Sequence, residues 1–155
     1  YPRSTIHKKV IMDLRKIKVV RTDDFDLIKN LHKEIFPSDQ CIKHKDSNAY
    51  WIMKYKDEIA GFCTVSSFTP NTLYLERAGI VEKFRGNNLQ RRLILTRERY
   101  ARKNLFKKIV TYTKIYNISS ARNLQKSGYE LYIPEKEYAD KDCNYWIKYL
   151  DQKKK

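Results

Sequence analysis

The sequence predicts a single mixed α/β domain whose helices pack on one largely antiparallel sheet. Three observations carry this expectation. The chain has 155 residues, the size of one domain with room for a real core. β-type runs alternate with three stretches of helical spacing, in the order β-α-β-β-β-α-β-α-β-β. Neither an internal repeat nor a linker interrupts that order. Hydrophobic residues make up 41% of the chain and aromatics 13%, so a packed globule is expected rather than disorder.

Ile17–Val20 is a short β-type run. Thr22 then reads as a helix N-cap, with Asp23 and Asp24 in a first turn where the helix dipole favours acidic groups. Ile28, Leu31 and Ile35 follow at helical spacing, and Pro37 stops the helix. Residues 37–48 are polar and loop-like. Ala49–Tyr55 and Glu58–Phe68 read as strands joined through Lys56-Asp57, a tight antiparallel hairpin. Pro70-Asn71 breaks the second of them, and Thr72–Val81 is a third long strand. After a polar turn, a helix is expected over Leu89–Lys103. Leu89, Leu93, Thr96 and Tyr100 lie on one face of it; Arg91, Arg92, Arg97, Arg99, Arg102 and Lys103 occupy much of the rest. Lys108–Ile115 is a further strand. Asn117 caps a short helix with Ile118, Ala121 and Leu124 inward, and Gly128 sits where a left-handed residue ends it. Tyr129–Ile133 and Asn144–Leu150 finish as strands.

Residues 1–15 are read as a basic extension: an extra strand, a frayed arm or the remnant of a longer chain, with Met12 open as a native start. Residues 151–155 read as a basic tail, leaving 16–150 as the domain. The 33 basic and 18 acidic residues give a formal charge of +15, and so a positive surface potential that attracts anions. Nucleic acid, acidic protein and a phosphorylated cofactor all fit, as does a surface tuned only for solubility. Cys41, Cys63 and Cys143 form no CxxC pair, and the three histidines share no ligand spacing, so no metal site is expected. Reduced thiols point to a cytoplasmic protein. No apolar run of membrane-spanning length and no signal-peptide pattern is present.

Two segments carry chemistry. In the first, the strand ending Gly79-Ile80-Val81 runs through Phe84-Arg85-Gly86-Asn87-Asn88 straight into the helix that begins Leu89-Gln90-Arg91. A helix first turn has unpaired N–H groups and the positive end of the helix dipole, which suit a phosphate. Gly86 permits unusual backbone angles and Asn88 tolerates them. In the second, Asn117-Ile118-Ser119-Ser120 through Gly128-Tyr129 is by itself a capped helix ending in glycine.

The first segment resembles the coenzyme A signature of the GNAT N-acetyltransferases, a strand followed by (Q/R)-x-x-G-x-(G/A). Arg85, Asn88 and Gln90 occupy those positions, and Phe84, Arg85, Gly86 and Leu89 meet the longer aromatic-Arg-Gly-x-Gly-Leu form. The second is similar to the family's Asn-x-x-(Ala/Ser) motif, seven residues, then Gly-(Phe/Tyr), with Asn117, Ser120, Gly128 and Tyr129 in place. The likeness covers roughly residues 16–150. It departs at Asn88 for glycine, at Gln90 for Gly/Ala, and at Leu124, where many relatives carry the Tyr that protonates the leaving thiolate.

The resemblance implies a GNAT acyl-CoA N-acyltransferase fold, with acetyl-coenzyme A as cosubstrate and direct attack of a neutral amine on its thioester. It implies a cosubstrate site of Gly79, Ile80, Val81, Arg85, Gly86, Asn87, Asn88, Leu89, Gln90, Arg91, Asn117 and Asn123, with Asn123 and Lys126 toward the far end. Glu76 is the first candidate base, with an ordinary salt-bridged Glu as the plainer reading. Tyr112 and Tyr116 are candidates to hold a water, or serve packing alone. Ser120 or Tyr116 is the candidate proton donor to the thiolate. The acceptor would meet residues 30–48 and 132–146; the first carries His44, Asp39 and Asp46 but also Lys43 and Lys45, so no clean acidic pocket selects a free cationic amine. The charge fits an amine borne on an anionic macromolecule, aminoacyl-tRNA above all, or on protein, by a monomer or homodimer. The alternative is a catalytically impaired member that grips nucleic acid or protein with its Arg-rich helix.

Overall fold

The computed structural model describes residues 11–150. The expectations for residues 1–10 and for the tail at 151–155 lie outside them. Seven strands and three α-helices follow in the expected order: β1 (Ile17–Thr22), α1 (Phe25–Ile35), β2 (Ala49–Tyr55), β3 (Glu58–Thr69), β4 (Thr72–Ile80), α2 (Leu89–Lys103), β5 (Lys108–Lys114), α3 (Ile118–Lys126), β6 (Glu130–Tyr132) and β7 (Cys143–Tyr149). No helix among the described residues is long and apolar enough to cross a membrane.

The strands form one sheet in the order β1-β2-β3-β4-β5-β7-β6. Every neighbouring pair is antiparallel except β4 and β5, which run parallel. β2 shows why the sequence reads as a near-continuous apolar run: both faces of the sheet are covered. Trp51, Met53 and Tyr55 point into the core under α2 and α3, whereas Tyr50 and Ile52 join Ile28 and Leu31 of α1 in a second core. Alternation along one strand thus feeds two layers.

Local chemistry sets the helix ends. Asp24, not Thr22, caps α1: its side chain accepts from the Leu27 N–H, while Thr22 Oγ1 accepts from the Asp24 N–H. Asn117 caps α3 as expected, and Gly128 closes it at φ 92°, where any Cβ is strained. Two expected faces are corrected. Ile118 is 59% exposed, because it sits at the first position of α3 before the helix turns onto the core. Arg97, expected off the face formed by Leu89, Leu93, Thr96 and Tyr100, is 4% exposed. It follows Leu93 by four residues and Ile94 by three, which places it inside the buried stripe.

The feature that builds a site is the divergence of β4 from β5. They pair only over Thr72–Tyr74 with Lys108–Val110, although β4 stays paired to β3 as far as Ile80. Where the ladder would next join Leu75 to Thr111, the Thr111 hydroxyl donates to the Leu75 carbonyl at 2.9 Å instead. Beyond that point the strands part. β4 also bulges: Cys63 and Val65 of β3 lie opposite Ala78 and Leu75, so Glu76 and Arg77 share the space across from Thr64. The Thr64 hydroxyl accepts from the Arg77 N–H at 2.9 Å and donates to its carbonyl at 3.2 Å, satisfying the bulged residue.

Candidate active site

The turn after β4 is shaped by backbone angles that few residues accept. Gly86 has φ 82°, and Asn88 is left-handed at φ 60°, ψ 31°. Asn adopts this region more readily than other side chains, so the expected glycine is replaceable here. Asn88 is the N-cap of α2 yet makes no side-chain cap bond. The donors of the first turn of α2 therefore lack a capping side chain. Asn87 braces the turn from within, its amide donating to the Phe84 carbonyl at 2.9 Å.

This turn walls a cavity of about 490 Å³ lined by Ile35, Phe36, Ile80, Phe84, Arg85, Gly86, Asn88, Leu89, Gln90, Asn117, Ser119, Ser120 and Asn123. Eight of the twelve residues expected to hold a cosubstrate are among these. The bulk of Gln90 forms part of the wall and leaves the cavity in place. The other four lie elsewhere. Gly79 meets α1: a Cβ on it would sit 2.8 Å from Phe36 and 2.9 Å from Ile35, so it secures close packing. The Val81 N–H bonds the Ala60 carbonyl across the sheet. Asn87 braces the turn, and Arg91 is exposed on the first turn of α2.

Since Val81 directs its N–H toward β3, strand alternation turns the polar groups of Ile80 away from β3, to the open side. Arg85 Nε already donates to the Ile80 carbonyl there at 3.0 Å. A free row of donors at a helix start, with a polar strand edge beside it, fits a diphosphate joined to a peptide-like arm.

A second cavity of about 110 Å³ occupies the gap between β4 and β5, sharing Gln90, Ser120 and Asn123 with the first. Glu76, Tyr112 and Ser120 all line it, so three of the four residues expected to take part in chemistry meet there. Tyr116 does not: it is 76% exposed and lines neither cavity. Glu76 Oε1 accepts from the Asn48 amide at 2.6 Å, and Lys45 Nζ stands 3.9 Å from Oε2. Asn48 is itself held by the Val65 carbonyl at 3.0 Å. Tyr112 stacks on Tyr74, with Tyr138 across both. Burial pushes the Tyr74 and Tyr138 hydroxyls well above the usual phenol range, so they stay neutral. Ser120 has its N–H bonded by Asn117, whose side chain is thereby engaged as a cap.

Sequence reasoning missed Ile35 and Phe36, brought over the cavity by α1, and Thr111 and Arg97 in the gap. Of these only Arg97 had a local signal, the seven-residue step from Gln90 that puts both on one side of α2. Among the described residues no metal-binding group of His, Cys, Asp or Glu occurs.

Comparison with known proteins agrees with this geometry. Residues 16–129 match the acetyltransferase (GNAT) family. No curated protein matches the chain. Solved structures share its fold at low identity. An IAA acetyltransferase from Bacillus cereus superposes with a TM-score of 0.74 at 16% identity, covering 86% of this chain and 99% of its own. A GNAT family acetyltransferase from Elizabethkingia anophelis with acetyl-CoA bound gives 0.69 at 16%, covering 87% and 99%. The spermidine N-acetyltransferase from Vibrio cholerae, in complex with CoA and spermine, gives 0.67 at 12%, covering 87% and 96%. With most of its length matched and the cosubstrate turn in place, this chain belongs to the acetyltransferase (GNAT) family, whose cosubstrate is acetyl-coenzyme A.

Proposed function

We propose that this chain transfers an acetyl group from acetyl-coenzyme A to a primary amine carried on an anionic macromolecule such as aminoacyl-tRNA. The observation that carries the first part is that the two cavities adjoin across a shared wall. The uncapped start of α2 opens one, and Glu76 lines the other, with Gln90, Ser120 and Asn123 common to both.

Bound acetyl-coenzyme A supplies an activated thioester. The first-turn N–H groups of α2 hold its diphosphate, and the outward polar groups of β4 hold its arm. Leu75, Ala78 and Ile94 exclude water around the acyl group. A lysine-type amine has a pKa of about 10.4 and an α-amine about 8, so a proton must leave before attack. Glu76 accepts that proton, directly or through a water held by Tyr112. The bonds from Asn48 and Lys45 keep its carboxylate aimed.

The anionic carrier is supported by a groove between α2 and β1. Arg92, Arg99 and Arg102 line it with Ile17 and Val19, and among the described residues no carboxylate pairs with any of the three. Three unneutralised guanidinium groups in one groove suit a phosphate backbone.

Calorimetry with coenzyme A, followed by turnover against pooled amines including charged tRNA, tests both parts. Saturable binding with turnover on charged tRNA that weakens steeply with salt is expected. No affinity for coenzyme A would overturn the enzymatic reading. Turnover on small amines alone would remove the anionic carrier. Tight RNA binding without coenzyme A affinity would make the chain a non-catalytic binding module.

A further inference from the structure

Arg97 is a buried cation that, among the described residues, makes no ion pair, although Glu76 lines the same cavity. Its side chain lines the gap between β4 and β5 together with Gln90 and Ile94 of the same helix. It is 4% exposed, and its hydrogen bond runs from Nε to its own helix, at the Leu93 carbonyl, 3.2 Å away. No ion pair joins it to the adjacent Glu98, whose two oxygens accept from Lys148 Nζ at 3.1 Å. Among the described residues no carboxylate lies within ion-pair distance of the Arg97 guanidinium. A guanidinium does not shed its proton, so this charge persists in the interior. With its Nε on a backbone carbonyl and no ion pair formed, the guanidinium keeps its attraction for an anion that enters the cavity it lines.

The anion is suggested by what else lines the gap. Leu124 of α3 faces the same cavity, and it occupies the place where the family resemblance puts a thiolate-protonating Tyr. Leu124 itself brings no hydroxyl, and of the residues of α3 that line the gap only Ser120 does. The charged and titratable groups facing the cavity are Glu76 from β4, Tyr112 from β5 and Arg97 from α2; α3 contributes Ser120, Asn123 and Leu124, none charged. Arg97 is therefore the positive charge of the gap. Its field also reaches Cys63 of β3, where it partly offsets the burial that pushes that thiol up to about 11.

We propose that Arg97 stabilises the negative charge that develops on the coenzyme A sulfur as the acetyl group leaves it. This rests on the acetyltransferase reading above. The amine nitrogen bonds to the acyl carbon, the carbon–sulfur bond breaks, and its electron pair stays on sulfur. Glu76, having passed the proton of the ammonium form on to water before attack, takes the second proton that the nitrogen sheds as the amide forms. The sulfur remains anionic beside the guanidinium and takes a proton from water on release. The charge exists only once the bond is breaking, so the stabilisation acts on the transition state rather than on binding of the neutral thioester.

The test titrates the thiol of bound coenzyme A by its thiolate absorbance, with binding followed separately by calorimetry using coenzyme A and desulfo-coenzyme A. A free thiol titrates near a pKa of about 8.5, and a neighbouring guanidinium lowers it. In the wild-type chain the bound thiol should titrate at least about one unit lower, a roughly tenfold larger thiolate share at pH 7. In Arg97→Met it should return to the free value or above. The same variant should lose about ten- to a hundredfold in kcat, with KM for acetyl-coenzyme A within about twofold, and Arg97→Lys should recover part of the loss. A wild-type bound thiol that titrates at or above the free value overturns the role of Arg97 while leaving the acetyltransferase reading intact. Absence of any coenzyme A binding overturns that reading and this proposal with it. Thermal melts show whether Arg97→Met folds; if it does not, the wild-type titration decides.

Discussion

Replacing Lys148 with Met should destabilise the fold far more than a surface substitution does. Lys148 Nζ donates to both Glu98 oxygens at 3.1 Å and to the Ser127 carbonyl at 2.7 Å. It thereby ties β7 to the middle of α2 and to the end of α3, the two helices that wall the gap. The Glu98 side chain is only 2% exposed, against 21% for Lys148. Removing the lysine leaves a buried carboxylate that no other cation among the described residues pairs. Tyr129 stands beside it with a buried hydroxyl pushed well above the phenol range by burial and by Glu98, so it stays neutral and cannot replace the lost charge. Breaking a buried pair from one side costs about 3–5 kcal/mol. For a domain of this size that is a fall in Tm on the order of 10 °C. By contrast, breaking Arg77–Asp39 at 3.2 Å, with side chains 40% and 38% exposed, should cost about 1 kcal/mol or less. Urea denaturation of Lys148→Met, Glu98→Leu and the double variant measures the coupling. The double variant should recover most of the loss, because two apolar side chains leave no buried charge unpaired. A Lys148→Met cost below about 1 kcal/mol would refute the reasoning.

Glu76→Gln keeps the acceptor for Asn48 but removes the base, so kcat should fall about a hundredfold or more with KM for acetyl-coenzyme A little changed. Steady-state kinetics that leave kcat within threefold of wild type would exclude Glu76 as the base. Gly79→Ala forces Phe36 and Ile35 off β4 and should cost about 1–3 kcal/mol. Because both side chains line the larger cavity, calorimetry should also show weaker coenzyme A binding. His32 is buried, and its pKa lies below the usual imidazole value, first through burial and then through Arg77. The unfolded chain then binds the proton more readily than the folded one. Its stabilising contribution is complete above a pH of about 6.5 and is lost as pH falls from there through the lowered folded value. Melting curves between pH 5 and 8 should show this fall, and His32→Leu should flatten it.

The family could be read from the chain because its signals are local. Gly79 to Gln90 encodes a strand end, a left-handed turn and a helix start within a few residues, and Asn88, in the place of the family's glycine, sits left-handed. The Asn117 cap and the Gly128 stop are set by backbone geometry next to the residues themselves. Helix α2 spans Leu89–Lys103, the range its spacing predicts. Sequence reasoning sets Arg97 apart from the Leu89 and Leu93 face, although it follows Gln90 by seven residues and Leu93 by four. Only packing between α2 and the sheet could settle that conflict, and it put the guanidinium inside. Tyr116 shows the reverse, since a strand-end position predicts nothing about whether the loop after it turns toward the gap or away. Above all, the opening between β4 and β5 has no sequence signature. It arises where a parallel ladder ends at Tyr74 and Val110 and a threonine hydroxyl takes the next carbonyl, a contact between residues 36 apart in the chain. Local preferences fix caps, turns and periods over a few residues, whereas a gap between strands depends on what both of them pack against.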